Sequence, residues 1–377
     1  MNCLPLVSGG AIAIVRNLAP LLSRRFEESI EGHELMFLVH ESQKELLVGV
    51  PADQLVWVSG GRPTGWQRVL WEKRHIGHIV AQTNADLLFT PYQLGPRVKG
   101  VRQLLMLTNM EPFLFDQYVY GAKNRLRNHI LKSTSSRSLR QADRVIAISK
   151  FTQDHLVRGL GITADRVRMV YHGRNEALAI EGADEVEQRR LASYGISIPF
   201  FLTCGSLLPY RRCEDVIAAF DRAAASLPEG TQLVIAGSGT DERYGDLIKR
   251  AIEASPYRER ILLLGHVPQD VMKPLYRQCD ACVIATEIEA CPNIAIEAMT
   301  AGCAIIANDK PPLPEILDNA YHSYRARDIP HLTEVMVQVS RNEQLRETLR
   351  ARSLSRAEHF SWETCADQTY AALTDWS

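Results

Sequence analysis

Two glutamates in the second half of the chain have a spacing that could serve ligand binding. Glu289 and Glu297 are separated by seven residues and follow the apolar run Ala281–Ala285. Pro292 ends the loop and Asn293 is a good N-cap, so we expect Glu289 at the loop tip and Glu297 about one turn inside a helix. The free N–H groups of a helix start attract anions. Two such carboxylates could grip sugar hydroxyls on either side of a diphosphate, although an ordinary N-capped helix fits equally well.

Cationic side chains that could bind the same anion follow another apolar run, Phe200–Cys204. Gly205 allows the backbone to turn, and Pro209 restricts the loop. Arg211 and Arg212 then precede a helical stretch, and a guanidinium can chelate phosphate oxygens with two hydrogen bonds. The loop is therefore a candidate diphosphate site, while a solvated basic pair before a helix remains an alternative.

Other motifs are weaker. Gly9 and Gly10 precede the amphipathic stretch Ala11–Arg25, where they would permit close backbone approach to a ligand, although most glycine pairs are turns. Cys279 and Cys282 have a C-x2-C spacing without a second pair, so we expect core packing and no metal site. The chain has no Walker A motif, nucleophile elbow or H-E-x-x-H, and no dinucleotide fingerprint surrounds Gly237.

Short apolar runs alternate with amphipathic stretches along the whole chain, which predicts βαβ units and parallel sheets. We expect twelve strands, at 35–40, 54–58, 85–90, 103–108, 144–149, 167–171, 199–204, 232–236, 260–264, 281–285, 304–307 and 321–324. We expect helices at 11–25, 66–82, 125–141, 150–159, 213–226, 243–254, 268–278, 293–300 and 351–376. So many strands exceed one ordinary sheet, and two doubly wound domains fit better. Ligands of such sheets bind outside the carboxyl ends of the strands, which is where both loops above begin.

Composition supports a two-domain globular chain. It has 377 residues, 46% of them hydrophobic and 23% charged, which excludes a disordered chain, collagen and a coiled coil. No run of 18 apolar residues and no signal peptide are visible, and most of the eight cysteines lie in apolar segments, so we expect a cytoplasmic protein. Residues 1–173 carry 22 basic and 14 acidic side chains, and residues 174–377 carry 21 and 30, giving net charges of +8 and −9.

Taken together, these motifs resemble the GT-B-fold retaining glycosyltransferases of family GT4. Glu289 and Glu297 match the family's E-x7-E, and Arg211 stands where the family has a phosphate-binding lysine. Gly9-Gly10, the strand ending in Ser149, the strand ends around Gly237 and His266, and Phe360-Ser361-Trp362 also match in order. The chain departs from the family at Ala290-Cys291-Pro292, where Gly-Phe-Gly is common, and at Ser206, where arginine is common. The family's N-terminal His-Asp pair falls at Thr108-Asn109, so we assign no histidine there.

The resemblance implies the architecture. The fold class is α/β: two doubly wound Rossmann-like domains facing across a cleft, with a C-terminal helix crossing back to the N-terminal domain. We expect an acceptor-side domain at 1–173, a nucleotide-sugar domain at 174–355, and the returning helix at 356–377.

The resemblance also implies the chemistry, a hexose transfer from a nucleotide sugar to a glycan or lipid-linked acceptor in bacterial surface polysaccharide synthesis. No cofactor and no metal would be needed. Glu297 would bind ribose, Glu289 the transferred hexose, and Arg211 and Arg212 the diphosphate. Further donor-binding residues would be Gly205, Ser206, Asn293, Ile294, Gly237, His266, Gly9 and Gly10. A nucleotide-sugar epimerase or phosphorylase on the same fold, or a non-catalytic sugar-nucleotide-binding module, stays open as an alternative.

A basic run extends from Lys123 to Lys150, with Asp143 as its one acidic residue. Ile130, Leu131 and Leu139 could form part of an apolar face, and a basic amphipathic helix can lie on an anionic membrane. A solvated helix face explains the pattern equally well. Aromatic residues are not interleaved with the charges, so we expect no nucleic-acid binding.

Overall fold

The computed structural model describes residues 1–6, 10–30, 32–61, 64–179, 184–239 and 241–376. The chain divides into two compact units. The first unit comprises Met1–Phe113, Arg127–Gly173 and Ser361–Ser377, and the second comprises Leu114–Leu126 and Arg174–Phe360. One change between units therefore falls after Gly173, as in the predicted division, and the last falls at Ser361, five residues after the predicted position 356.

The segment Leu114–Leu126 departs from the predicted division, which placed it in the N-terminal domain. It belongs to the second unit because its side chains bind there. The Tyr118 hydroxyl donates to Glu287 Oε2 at 2.7 Å, and the Asn124 amide donates to Asp241 Oδ2 at 2.8 Å. No periodicity in the sequence indicates that this segment belongs to the second unit.

All twelve predicted strand runs contain a strand, and no strand end is shifted by more than two residues. The strands are β1 Phe37–His40, β2 Leu55–Val58, β3 Leu87–Thr90, β4 Arg102–Leu107, β5 Arg144–Ala147, β6 Val167–Met169, β7 Phe200–Cys204, β8 Gln232–Ala236, β9 Ile261–Gly265, β10 Ala281–Ile284, β11 Ile305–Asn308 and β12 His322–Tyr324. Apolar runs predict these strands well because the central strands of parallel sheets are buried on both faces. In β10 and β11 every residue is buried.

The helices are α1 Gly10–Ala13, α2 Ala19–Glu27, α3 Gly65–Gln82, α4 Glu111–Leu114, α5 Ala122–Gln141, α6 Lys150–Asp154, α7 Asp184–Ala192, α8 Cys213–Ala223, α9 Glu242–Ala254, α10 Gln269–Gln278, α11 Asn293–Thr300, α12 Leu313–Leu317, α13 Ile329–Arg341, α14 Glu343–Ala357 and α15 Trp362–Thr374. The predicted helix 11–25 is interrupted by a π-helical turn at Ile14–Leu18. Pro20 stands at the start of α2 and has no N–H group, so the regular hydrogen-bond ladder cannot continue through it.

The second unit is built on a six-stranded parallel sheet with the order β12-β11-β10-β7-β8-β9. Its first strand, β7, lies between β10 and β8, so the direction in which the chain fills the sheet reverses there. The carboxyl ends of β7 and β10 therefore flank the topological switch point, which is the usual ligand site of an open α/β sheet. On one face of the sheet, α8 and α13 pack through buried apolar residues such as Phe220, Val335 and Val339.

The first unit contains a four-stranded parallel sheet, β3-β4-β5-β6, and a parallel pair, β1-β2. The first residues of the chain lie between them. The Asn2 N–H donates to Phe89 O at 2.7 Å, and the Cys3 N–H donates to Leu38 O at 2.9 Å. This first segment forms a single parallel bridge, between Asn2 and Leu38.

The predicted terminal helix over 351–376 is two helices, α14 and α15, separated at Glu358–Ser361. The break is local, because Ser361 accepts a hydrogen bond from the Thr364 N–H and caps α15. The second helix, α15, packs against α2 in the first unit through Tyr370 on Phe26 and an ion pair of Arg25 with Asp367.

The basic run is carried mainly by α5. Of the three apolar residues that could form an exposed face, Leu139 is fully buried in the core, whereas Ile130 and Leu131 are half-buried. Among the described residues, no helix has both the length and the apolar composition needed to cross a membrane.

Candidate active site

The ends of β7, β8 and β9 form the base of the site and are joined by backbone hydrogen bonds. The Gly205 N–H after β7 donates to Ala236 O at 3.0 Å, and the Gly237 N–H after β8 donates to Gly265 O at 2.7 Å. A Cβ on Gly237 would lie 1.8 Å from Gly205 O, and its φ of +151° is one that other residues rarely adopt. Glycine is therefore required at Gly237 for the β7 and β8 loops to meet, which is a structural role for this predicted donor residue.

Arg211 lies at the centre of this site. A short 3₁₀ turn, Pro209–Arg211, follows the Gly205 loop and directs the guanidinium back over it. A Cβ on Gly205 would be 3.4 Å from Arg211 Cζ. The Arg211 Nη1 atom forms an ion pair with Glu289 Oε1, and only 15% and 14% of the two side chains remain exposed. The structure thus brings together the predicted cation after β7 and the predicted carboxylate after β10.

The Arg211–Glu289 pair leaves hydrogen-bonding capacity unused. The contact is an ion pair outside hydrogen-bond geometry, and no described residue forms a hydrogen bond with Arg211 Nε, Arg211 Nη1 or Glu289 Oε1, all of which are buried. A buried donor without an acceptor costs about 1–3 kcal/mol, so natural proteins rarely retain one without a function. A ligand rich in acceptor atoms, such as a phosphate group, would give these N–H groups hydrogen-bond partners.

Burial and charge act in opposite directions on Glu289. Desolvation raises the pKa of its carboxyl above the usual value, while the Arg211 charge and a hydrogen bond from Thr286 lower it. The effect of burial is the larger one, so the pKa of Glu289 is raised. The carboxyl group therefore takes a proton more readily than an exposed glutamate, even with the Arg211 cation beside it.

The helix that follows this loop is α11, and its start corrects one prediction. Asn293 is not the N-cap; it is the first helical residue, and Pro292 is in the cap position without a side-chain hydrogen bond. Proline suits this position because its ring restricts φ, which is −75° here, and because it has no N–H to satisfy. The N–H groups of Asn293 and Ile294 are consequently the first two of the helix, where the helical ladder offers no acceptor.

Glu297 lies one turn into α11, as predicted. Its Oε2 accepts a hydrogen bond from the Tyr276 hydroxyl at 3.1 Å. Desolvation raises the pKa of Glu297, and the bond from Tyr276 opposes that effect. Tyr276 was missed in the sequence because a tyrosine in the apolar pattern of α10 is indistinguishable from a core residue.

Arg212 is placed differently from Arg211. Its backbone is left-handed, with φ +53°, directly before α8. All three of its nitrogens face carboxylates of that helix: Nη1 contacts Glu214 at 2.7 Å, and Nε and Nη2 contact Asp215 at 2.9 and 2.7 Å. The Arg212 charge is therefore neutralised within the first turn of α8, and the predicted diphosphate contact would require these pairs to open.

The remaining predicted residues occupy less central positions. Ser206 is exposed on the β7 loop, and His266 is exposed directly after β9. Gly10 begins α1 in the first unit. Gly9 lies outside the described residues.

A second cluster was not anticipated. Glu287, two residues before Glu289, is 2% exposed at its side chain and accepts hydrogen bonds from Arg327 Nε at 2.9 Å and Nη2 at 2.7 Å. Tyr118 donates to the same carboxylate, and the cluster lines a cavity of about 220 Å³ that also involves Lys310. The side-chain hydrogen bonds from Arg327 and Tyr118 outweigh burial and lower the pKa of Glu287. This cluster fixes the strand end that leads to Glu289.

The cysteine pair is core, as the sequence predicts. Cys279 and Cys282 are fully buried, and Cys279 Sγ lies 3.3 Å from Cys303 Sγ. Within the described ranges, no three His, Cys, Asp or Glu side chains are grouped so that they could hold a metal ion.

Two family models match the sequence. Residues 197–355 match "Glycosyl transferases group 1", and residues 8–178 match "Glycosyltransferase Family 4". The two matches together take in most of the chain, which therefore belongs to this family of glycosyltransferases. The family resemblance predicted from Glu289, Glu297 and Arg211 is confirmed.

Individual relatives agree with this assignment. The chain is 24% identical over 261 residues to the O-antigen chain mannosyltransferase B of Escherichia coli, covering 67% of this chain and 65% of that protein. Its fold is similar to Anabaena HepE in complex with UDP-glucose, with a TM-score of 0.73, 15% identity and coverage of 98% and 97%. It is also similar to WaaG, a glycosyltransferase involved in lipopolysaccharide biosynthesis, with a TM-score of 0.71, 14% identity and 96% coverage of both chains. The predicted GT-B fold class is confirmed.

Proposed function

We propose that this protein transfers a hexose from a nucleotide sugar to a glycan acceptor, with retention of anomeric configuration and without a metal ion. The buried Arg211 guanidinium carries the proposal, because its Nε and Nη1 groups form no hydrogen bond with a described residue and Nη1 has only the ion pair with Glu289. A diphosphate would supply such acceptors, and this position at the switch point of the sheet is where nucleotides bind in open α/β folds.

Each carboxylate has a separate task in this proposal. Glu297 binds ribose hydroxyls, since it lies one turn inside α11 with one oxygen held by Tyr276. Glu289 binds hydroxyls of the transferred hexose, since it faces the same loop as Arg211. The N–H groups at the start of α11 and the Arg211 guanidinium stabilise the negative charge that develops on the leaving diphosphate.

Metal independence follows from the same charge argument. A leaving diphosphate needs positive charge near its oxygens, and here a guanidinium and a helix start supply it. The retained configuration rests on the family to which the chain belongs. The similarity to an O-antigen mannosyltransferase and to a lipopolysaccharide glycosyltransferase supports a role in bacterial surface polysaccharide synthesis.

The test begins with ligand binding. Thermal shifts with UDP, GDP, ADP and CDP identify the nucleotide, because a ligand at 100 times its Kd stabilises a protein by about 2.7 kcal/mol. The matching nucleotide sugars are then incubated with methyl glycosides as acceptors, with and without EDTA. NMR of the product reports the anomeric configuration. An inverted product or a loss of activity in EDTA would contradict the corresponding part of the proposal, and an isomerised nucleotide sugar formed without acceptor would favour an epimerase.

We also propose that the acceptor is lipid-linked and that the protein binds anionic membranes peripherally. The charge available for this is smaller than the sequence suggests, because Arg144 is buried and Arg127 pairs with Glu111 at 3.2 Å. Lys123, Arg125 and Arg137 remain exposed. At about 1 kcal/mol for each cation near an anionic surface, these three would favour binding by roughly 3 kcal/mol.

Vesicle co-sedimentation tests the membrane proposal. Wild type should sediment with phosphatidylglycerol vesicles at low salt and not with phosphatidylcholine vesicles. The triple variant Lys123→Ala/Arg125→Ala/Arg137→Ala should stay in the supernatant, while Arg250→Ala, which removes another exposed cation, serves as the control. Wild type that never sediments at low salt would refute the membrane proposal and leave the glycosyltransferase proposal intact.

A further inference from the structure

We propose that Tyr276 sets the preference of this site for ribonucleotides by holding the Glu297 carboxylate in place with its hydroxyl group. Tyr276 is a positioning residue, because it acts through Glu297 and does not touch the ligand itself. The inference rests on the proposed function, in which Glu297 binds the ribose. It adds a determinant of nucleotide specificity that neither the E-x7-E spacing nor the loop glycines contain.

Tyr276 joins three elements that flank the switch point. It lies in the last turn of α10, and its side chain is fully buried. Its hydroxyl oxygen is 3.1 Å from Glu297 Oε2 on α11 and 3.3 Å from the Cys204 Sγ at the end of β7. A ring packed on all sides gives the hydroxyl a fixed position, so it can hold Glu297 more firmly than a solvent-exposed partner could.

The directions of these hydrogen bonds follow from the donors present. An ionised carboxylate only accepts, so the single hydrogen of the Tyr276 hydroxyl goes to Glu297. The tyrosine oxygen can then accept from the Cys204 thiol, whose sulfur is 3.3 Å away. The hydrogen-bond chain runs from Cys204 through Tyr276 and ends on Glu297, which leaves the other carboxylate oxygen for a ligand.

The position of Glu297 matters because a glutamate side chain is flexible. Among the described residues, the Tyr276 hydroxyl is the one side-chain hydrogen bond to this carboxylate. It also opposes the burial that raises the pKa of Glu297, and so favours the charged form. A ribose hydroxyl donating to a fixed, charged oxygen makes a charge-assisted bond, which a deoxyribose cannot make.

The test is Tyr276→Phe, which keeps the ring and removes only the hydroxyl. Calorimetry gives the Kd of UDP and 2′-deoxy-UDP, and of GDP and 2′-deoxy-GDP. Wild type should prefer the ribonucleotide by about tenfold or more, the range of a hydrogen bond to a charged group. In Tyr276→Phe the preference should fall to about threefold or less, with the deoxynucleotide affinity nearly unchanged.

Two further variants make the result specific. Tyr244→Phe is the matched control, because Tyr244 is also buried and donates to a glutamate, Glu214, away from Glu297. It should keep the wild-type preference. Cys204→Ala removes the thiol next to the Tyr276 hydroxyl and should lower the preference for ribonucleotides by a smaller factor than Tyr276→Phe does. It provides a second test of the inference if Tyr276→Phe does not fold.

The outcomes separate this inference from the proposed function. An unchanged preference in Tyr276→Phe and Cys204→Ala, together with its loss in Glu297→Gln, would overturn the role of Tyr276 and leave nucleotide binding intact. Equal weakening of ribo- and deoxynucleotides in Tyr276→Phe would mean a purely structural role and would overturn the inference as well. Wild type without any ribose preference would refute the role of Glu297, and wild type that binds none of the nucleotides would refute the proposed function.

Discussion

Replacing Arg211 with alanine is the most direct test of the candidate site. Arg211 has two buried nitrogens, Nε and Nη1, that form no hydrogen bond with a described residue, and its Nη1 forms an ion pair with Glu289. If these donors receive a diphosphate, their loss should weaken binding of any ligand that contains the phosphates. It should not affect a ligand that lacks them.

The size of the effect follows from burial. With 15% of its side chain exposed, Arg211 would meet a phosphate largely away from water. Truncating one partner of such a charge pair costs about 2–5 kcal/mol, or roughly 30-fold to several thousand-fold in Kd. Stability should change little by comparison. Loss of the ion pair destabilises the fold, but the substitution also removes buried N–H groups that lack hydrogen bonds, and Glu289 can take a proton because burial raises its pKa.

The assay compares a nucleoside diphosphate with its nucleoside by calorimetry, in wild type, Arg211→Ala and Arg212→Ala. Arg211→Ala should weaken binding of the diphosphate and leave binding of the nucleoside unchanged. Arg212→Ala should alter diphosphate binding by at most about 1 kcal/mol, because Glu214 and Asp215 already neutralise this guanidinium. Its main effect should be a lower melting temperature through the start of α8.

Two results would refute this reasoning. Unchanged diphosphate affinity in Arg211→Ala would remove the loop from the site. Equal weakening of nucleoside and diphosphate would assign the effect to a disturbed fold, since the nucleoside has no phosphate for Arg211 to bind.

Three further predictions concern neighbouring residues. Glu297→Ala should weaken binding of the free nucleoside diphosphate, whereas Glu289→Ala should leave that binding intact and impair sugar transfer. Calorimetry measures the affinities and a transfer assay the activity, and an equal loss of affinity in both variants would contradict this division of roles. Gly237→Ala should unfold in less urea than wild type, because its Cβ would lie 1.8 Å from a carbonyl oxygen. Gly245→Ala, in an open position on α9, should instead raise the free energy of unfolding by about 0.5–1 kcal/mol. Urea titrations in which Gly237→Ala is the more stable variant would contradict the close approach. Burial raises the pKa of Glu289 and Glu297, so the folded protein favours their protonated forms, and their contribution to the free energy of unfolding should fall as pH rises from the usual pKa of 4.5 through the folded pKa. In urea titrations the double variant Glu289→Gln/Glu297→Gln should lack this decline. The same pH dependence in wild type and double variant would contradict the prediction.

The fold could be predicted because its signals are local. Each strand is a short apolar run, and parallel strands in a sheet covered on both faces need no polar alternation. The β10 loop and Glu297 were placed correctly by the same local signals. The N-cap was assigned to Asn293 instead of Pro292, since both residues favour a helix start and only the backbone angles distinguish them.

The contacts that define the site could not be predicted, because they join residues far apart in the sequence. Arg211 and Glu289 lie on loops after β7 and β10, which become neighbours only through the strand order. The segment Leu114–Leu126 shows the same limit, since its place in the second unit depends on single hydrogen bonds from Tyr118 and Asn124. Neither hydrogen bond leaves a periodic trace in the sequence.

The different partners of the two site glutamates explain how equal residue types could acquire different tasks. Glu289 faces a cation, so an anionic ligand would compete with it for Arg211. Glu297 faces a neutral hydroxyl donor, so a ligand hydroxyl would add to Tyr276 without displacing it. Under the proposed function, the ribose contact is therefore in place before the donor arrives, whereas the sugar contact becomes free only as the diphosphate takes over Arg211. A free nucleoside diphosphate would then release Glu289 as fully as the complete donor does, so loss of Glu289 should impair transfer without weakening nucleotide binding.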